Sequence, residues 1–211
     1  LATQQQNNPQ EIARTLYEKG YAIIEPFITY ELGNSLLNEF QNTPLDKFKK
    51  AGIGRHKDFN VNSNIRTDQI YWLENNNLAI REYFNLLEKV RLAVNETLFL
   101  GLFDFECHFA YYPIDSFYQK HIDAFQGSSV RVLSSILYLN PDWQNGDGGE
   151  LKLYAPKDSA VLETTAPTFC KQIFFLSQEF PHEVLITKKP RYSITGWFRI
   201  NDFTNPQNQL R

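Results

Sequence analysis

The sequence predicts an α+β fold, with helices packed on the outside of one sheet of a sandwich or jelly-roll β core. Three observations predict it. The first hundred residues carry helical stretches whose apolar positions recur at steps of three and four. After Gly101 the pattern changes to short runs of aromatic and β-branched residues separated by turn signals. No internal repeat or linker-like stretch divides the 211 residues, so 1–211 is read as a single domain. Within it, 1–100 is mainly helical support and 101–200 is the β core.

Taken in order, residues 1–8 are polar and expected to fray. Pro9 suits the first turn of a helix. Pro9–Lys19 follows, with Ile12 and Leu16 as core contacts and Gly20 as its stop. Tyr21–Phe27 reads as a short strand. Thr29–Asn42 reads as a second helix with Leu32, Leu36, Leu37 and Phe40 on one face, ended by Thr43-Pro44. Lys47–Asn64 holds three Asn, two Gly and little periodicity. It reads as a long, mobile loop, and loops of that length usually have a task. Ile65–Leu73 looks like a strand. Leu78–Leu100 is the strongest helix, because Ile80, Phe84, Leu87, Val90, Val94 and Leu98 form one apolar stripe. The β runs are Phe103–Tyr112, Phe117–Ile122, Arg131–Leu139, Gly149–Tyr154, Lys171–Leu176, His182–Thr187 and Arg191–Ile200. Tyr112-Pro113, Asn140-Pro141, Asn145-Gly146-Asp147-Gly148-Gly149 and Lys189-Pro190 punctuate them. Seven short strands at this spacing argue for a sandwich or jelly roll.

Composition narrows the function. Apolar residues at 42% and charged residues at 21% exclude disorder and low-complexity structure for the bulk of the chain. A formal charge of −3 gives no basic footprint, so neither nucleic acid nor a membrane is expected as a partner. No run reaches the ~18 apolar residues of a membrane span. The opening Leu-Ala-Thr-Gln-Gln-Gln-Asn-Asn lacks the basic and apolar parts of a signal peptide. Two Cys make no disulfide framework and match no zinc motif. Cys107 and Cys170 therefore read as buried reduced thiols in a cytoplasmic setting. The chain starts at Leu1 and contains no Met, which leaves an upstream segment an open question. The oligomeric state is not readable.

Four His are the whole stock of imidazoles. His56 lies in the long loop and is expected in solvent; His108 lies on a strand and reads as a core histidine. His121-Ile122-Asp123 ends a strand. Side chains alternate along a strand, so His121 and Asp123 share a face. They supply two thirds of a facial metal triad, and His182 on a later strand can supply the third ligand. Arg191, nine residues on, is suited to pair with a carboxylate. A plain hairpin would hold His182 and Arg191 roughly 15 Å apart at ~3.3 Å per residue. The reading therefore requires the chain to cross to the opposing sheet between them.

The segment from Tyr111 to Phe198 carries an ordered set of short motifs. They are Tyr112-Pro113, His121-Ile122-Asp123, Ile136-Leu137-Tyr138-Leu139-Asn140, Asp142-Trp143, Gly148-Gly149-Glu150-Leu151, Phe174-Phe175, Pro181-His182-Glu183-Val184 and Arg191-Tyr192-x-Ile194-Thr195-x-Trp197. In order and spacing the set resembles the 2-oxoglutarate- and iron(II)-dependent oxygenases. More narrowly it resembles the prolyl hydroxylases of the hypoxia-inducible-factor type and their bacterial relatives. A weaker match extends upstream through Ile65-Arg66-x-Asp68-x-Ile70-x-Trp72.

The resemblance implies a double-stranded β-helix, or jelly-roll, core. It implies Fe(II) on His121, Asp123 and His182, with 2-oxoglutarate as co-substrate, O₂, and ascorbate as a further candidate. Arg191 then partners the distal carboxylate of 2-oxoglutarate and the Tyr138 hydroxyl shares it. Thr195 and Trp197 line the same end, since residues 191, 193, 195 and 197 fall on one face. Tyr112 resembles a pocket tyrosine near the iron. The loop Gly52–Asp68 is implied to fold over the target, with Arg66, Asp68, Trp72, Tyr118 and Arg131 around the opening. Thr67 stands where the family has a glycine. The implied reaction is hydroxylation of a prolyl residue in a protein, of the prolyl 4-hydroxylase type, giving succinate and CO₂. The similar bacterial enzymes imply a translation factor, such as elongation factor Tu, as one candidate substrate. Two rival classes stay open: a zinc hydrolase on the same three ligands, and a non-catalytic jelly-roll binding module.

Overall fold

The structure, a computed structural model, describes residues 8–52, 62, 64–124 and 130–201. Local chemistry accounts for its helices. α1 (Pro9–Lys19) begins at Asn8, whose side chain accepts the Gln10 amide, and ends at Gly20 in the left-handed region (φ 77°). Thr29 caps α2 (Tyr30–Asn42) through the Leu32 amide. Asn77 caps α3 (Leu78–Leu98) through the Ile80 amide. α3 stops short of the expected Leu100 because Phe99 turns left-handed (φ 55°) and gives its N–H to the Asn95 carbonyl.

Among the described residues there are eleven strands: β1 (Tyr21–Ile24), β2 (Lys49–Lys50), β3 (Gln69–Trp72), β4 (Leu102–Tyr112), β5 (Tyr118–His121), β6 (Arg131–Tyr138), β7 (Leu151–Tyr154), β8 (Val161–Thr165), β9 (Gln172–Leu176), β10 (His182–Val184) and β11 (Arg191–Ile200). All seven expected core strands are among them. The run expected over His182–Thr187 ends at Val184, and those over Tyr21–Phe27 and Ile65–Leu73 shrink to β1 and β3. β2 interrupts the expected loop Lys47–Asn64, while residues 53–61 and 63, His56 among them, lie outside the described residues, as do residues 1–7.

The strands form a seven-stranded sheet, ordered β1-β9-β6-β11-β4-β3-β2, and a four-stranded sheet, ordered β5-β10-β7-β8. The first hundred residues are thus more than helical support. β1 pairs with β9, and β3 pairs with β4 and carries β2 on its outer side, so strands from this half form both edges of the larger sheet. β10 and β11 fall in different sheets, so the chain crosses between layers at Lys189-Pro190.

Period-two alternation divides two cores. Cys107 and Phe109 of β4, Leu133 and Leu137 of β6, and Ile194 and Phe198 of β11 face the helices. There they meet Leu16, Leu36, Phe40, Tyr83 and Leu87. Their strand neighbours Ala110, Tyr112, Ile136 and Tyr138 face the other way, against Leu151, Leu153 and Val184 of the smaller sheet. The helices therefore cover one face of the larger sheet, and the space between the sheets is left for a cleft. Both Cys are free and buried, and burial pushes the Cys170 thiol up to about 12.

Candidate active site

The cleft between the sheets encloses about 680 Å³. β5 and β10 are antiparallel neighbours in which His121 stands opposite His182. Asp123 follows two residues after His121, and one ligand atom from each of the three lies within 4.8 Å of the others. His121 Nδ1 meets the Gln119 carbonyl at 2.8 Å, and His182 Nδ1 meets the Phe180 carbonyl at 3.1 Å. A carbonyl only accepts, so each neutral ring carries its proton on Nδ1 and turns a lone pair outward at Nε2. The two Nε2 atoms sit 3.4 and 3.6 Å from Asp123 Oδ1. Burial, together with the neighbouring His121, pushes the His182 imidazole down to about 4 against the pull of Asp123. Burial opposes the charge on Asp123, but His182, His121 and the Ser134 hydrogen bond hold its carboxyl well below the usual carboxylate range. Two imidazoles and one carboxylate are the donor set of a facial triad for Fe(II).

Arg191 stands deeper in the same cleft and is only 1% exposed. Its Nε donates to the Gly149 carbonyl at 3.0 Å, and Nη1 approaches Ser193 Oγ at 3.5 Å. The Gly148-Gly149 pair makes this possible. Both residues have positive φ; a Cβ at Gly148 would collide with the Ile186 carbonyl, and one at Gly149 would press on Arg191 and Thr187. The guanidinium carbon lies 4.8 Å from the ring centres of both Tyr112 and Tyr138. Among the described residues, two buried side-chain atoms lack any hydrogen-bond partner: Arg191 Nη2 and the Tyr138 hydroxyl. Unpaired buried donors are costly and rare. Both atoms are donors, and one carboxylate would satisfy both. The donor sets therefore fit a metal at one end of the cleft and a carboxylate at the other.

The remaining site residues divide by position. Thr195 lines the cleft between the two ends. Trp197 shares its face, as expected, but sits at the metal end, where its indole Nε1 donates to Asp123 Oδ2 at 3.0 Å. Six residues of extended strand separate it from Arg191, too far to serve the same carboxylate. Tyr118 stacks on His121 with ring centres 3.5 Å apart, and the Arg66 guanidinium lies over the Tyr118 ring, 4.2 Å from its centre. Arg66 forks onto the buried Asp68 carboxylate at 2.7 and 2.6 Å. Arg131 covers the Trp197 ring at 3.6 Å and pairs with Glu106 at 2.8 Å. Trp72 is 47% exposed and is not among the residues lining the cleft; it meets the lining residues His108, edge-on, and Trp197, at a tilt.

His108 departs from the expectation of a core histidine. It is buried, but β4 turns it toward the cleft, between Trp72 and Trp197. Its Nδ1 meets the Phe109 carbonyl at 3.2 Å, and burial, followed by Arg66, pushes its pKa down to about 4. Ser134 and Ser177 were not singled out from sequence. Ser134 donates to Asp123 Oδ2 at 2.7 Å and lies 2.9 Å from Ser177. The available signal was the polar pair Ser134-Ser135 inside an otherwise apolar strand.

Known proteins resemble this chain in sequence and fold. Residues 107–199 match the family model of the 2OG-Fe(II) oxygenase superfamily. The crystal structure of a Pseudomonas putida prolyl-4-hydroxylase is similar at a TM-score of 0.83 and 35% identity, over 92% of this chain and 100% of that one. A prolyl hydroxylase from Trichoplax adhaerens, solved with a hypoxia-inducible-factor oxygen degradation domain peptide fragment, gives 0.78 and 25% identity over 94% and 92%. The hypoxia-inducible factor prolyl hydroxylase of Caenorhabditis elegans is 25% identical over 207 residues. That match takes in 90% of this chain but only 28% of the nematode protein.

Proposed function

The chain belongs to the 2OG-Fe(II) oxygenase superfamily, and from that premise we propose that it hydroxylates a prolyl residue of a protein. The balanced reaction takes the prolyl residue, O₂ and 2-oxoglutarate to hydroxyprolyl, succinate and CO₂. The observation that carries the reading is a pair of unpartnered buried atoms, Arg191 Nη2 and the Tyr138 hydroxyl: Arg191 lines the same cleft as the triad, and the Tyr138 ring packs 4.8 Å from its guanidinium. A zinc hydrolase would use the same three donors but would leave both atoms without a task. A non-catalytic module would need neither set.

When bound, iron and 2-oxoglutarate supply the oxygen-activating chemistry, and the chain binds, orients and shields. His121, Asp123 and His182 would hold the metal, the two imidazoles offering Nε2 and the carboxylate its Oδ1. Arg191 and Tyr138 hold the distal carboxylate of the co-substrate, and Tyr112 packs against the Arg191 guanidinium. Arg66, Asp68, Tyr118 and Arg131 shape the opening through which a prolyl ring reaches the metal end, and Trp72 flanks it. The target class is a protein, with a translation factor such as elongation factor Tu as the candidate that the bacterial likeness favours.

The test is anaerobic addition of Fe(II) and 2-oxoglutarate, watched for a visible charge-transfer band. Admission of O₂ with a proline-bearing protein should then yield succinate and a mass gain of one oxygen. Iron bound without that band would overturn the reading, and so would full turnover of 2-oxoglutarate by the His182→Ala variant.

A further inference from the structure

The two oxygens of Asp123 have divided tasks. Oδ1 faces the two imidazoles, 3.4 Å from His121 Nε2 and 3.6 Å from His182 Nε2. Oδ2 is turned away and takes two donors, Ser134 Oγ at 2.7 Å and Trp197 Nε1 at 3.0 Å. Register explains why both donors arrive together. Ser134 and Trp197 are direct partners on β6 and β11, so their side chains stand side by side on the cleft face. Ser135 points to the opposite face and accepts from Gln172 at 2.9 Å. The adjacent serines therefore serve different layers.

A third group completes the set. Ser177, just past β9, lies 2.9 Å from Ser134 and is fully buried, as is Ser134. A serine hydroxyl has one proton. Ser134 spends its proton on a carboxylate that can only accept, so the Ser134–Ser177 bond must run with Ser177 as donor. The order is Ser177 to Ser134 to Asp123 Oδ2. Each donor polarises the next, and the low-dielectric surroundings strengthen the chain.

We propose that Ser134 and Ser177 are positioning residues for the metal. They form a one-way hydroxyl relay that, with Trp197, occupies Oδ2 and presents Asp123 to the metal through Oδ1 alone. The inference rests on the metal reading of the triad. With the relay intact, Asp123 would offer a bound metal Oδ1, the oxygen that faces the two imidazoles, and keep Oδ2 on its hydrogen-bond donors. Without it, Trp197 alone would restrain Oδ2, and the carboxylate would be freer to rotate and bring Oδ2 toward the metal. Outer partners of metal ligands typically change affinity ~10–100-fold when removed.

Metal-stripped protein titrated with Co(II), read by visible absorption, tests this without turnover. Wild type should bind and show one spectrum. Ser134→Ala should bind ~10–100-fold more weakly, with an altered band pattern as the coordination number changes. Ser134→Thr keeps the hydroxyl and should restore both affinity and spectrum. Ser177→Ala, one bond further out, should weaken binding several-fold. It stands in for Ser134→Ala should that variant fail to fold. Wild-type affinity and spectrum in Ser134→Ala, or in Ser177→Ala where only that variant folds, would overturn the relay and leave the triad standing. Failure of wild type to bind Co(II) would overturn the triad itself, and the relay with it.

Discussion

The Arg191 guanidinium lies 4.8 Å from the Tyr138 ring centre, and each side chain keeps one buried polar atom without a protein partner. A cation held at 1% exposure by a glycine carbonyl is poised for an anion that the chain itself does not supply. Arg191→Ala should therefore raise the 2-oxoglutarate concentration needed for half-maximal succinate formation by at least ~100-fold, the scale of ~3 kcal/mol for a buried charged pair. An unchanged requirement would remove Arg191 from the co-substrate site.

Tyr138→Phe separates two effects. Without co-substrate the buried hydroxyl is an unmet donor costing roughly 1–3 kcal/mol, so its removal should leave the protein as stable or ~1 kcal/mol more stable. With co-substrate, the lost hydrogen bond should weaken 2-oxoglutarate binding ~5–10-fold. Urea unfolding with and without 2-oxoglutarate measures both. A loss of stability in its absence would mean that the hydroxyl already has a partner.

His108 gives stability a pH dependence. Its folded pKa is about 4, against an ordinary 6.5 in the unfolded chain. Between those values the unfolded state holds more protons, so stability rises with pH and is lost as pH falls from 6.5 toward 4. Arg66 and Arg131 oppose the imidazolium and Asp68 favours it. From pH 7.5 to 5.0 the loss due to this ring is ~2 kcal/mol. His108→Asn should lose about that much less over the same interval, by urea midpoint. Identical pH profiles would show that the ring titrates freely.

The Arg66–Asp68 fork should be stabilising only as a pair. Arg66→Ala strands a carboxylate that is 1% exposed, and breaking such a buried pair costs ~3–5 kcal/mol. Asp68→Asn in that background should recover part of the loss. Chemical denaturation of the two single variants and the double variant measures the coupling. Strict additivity would mean that the fork contributes nothing of its own.

Features set by neighbouring residues were the most legible in the sequence. α1 was legible at both ends because Pro9 and Gly20 each act within one turn, whereas the Asn8 cap was hidden among the polar residues 1–8 expected to fray. The triad was readable because His121 and Asp123 share a strand face and His182 opens a later strand. α3 was read too long because Phe99 adopts a left-handed end that its side chain does not advertise. β8 escaped notice as an edge strand with exposed Val161 and Leu162, where burial imposes no alternation. Ser134 and Ser177 are 43 residues apart and meet only through sheet pairing. His108 was misread because alternation gives two buried faces here, and only the three-dimensional fold shows which of them lines the cleft.

The crossing at Lys189-Pro190 puts His182 in one sheet and Arg191 in the other. A molecule chelated at the triad and clasped by Arg191 is then a strut between two slabs. Filling the cleft becomes a mechanical event as well as a chemical one, because prying the slabs apart requires breaking the strut. The supply of metal and keto acid would be felt as stiffness. Backbone amides of β7 and β10 should exchange hydrogen more slowly once both are added, and more than either achieves alone.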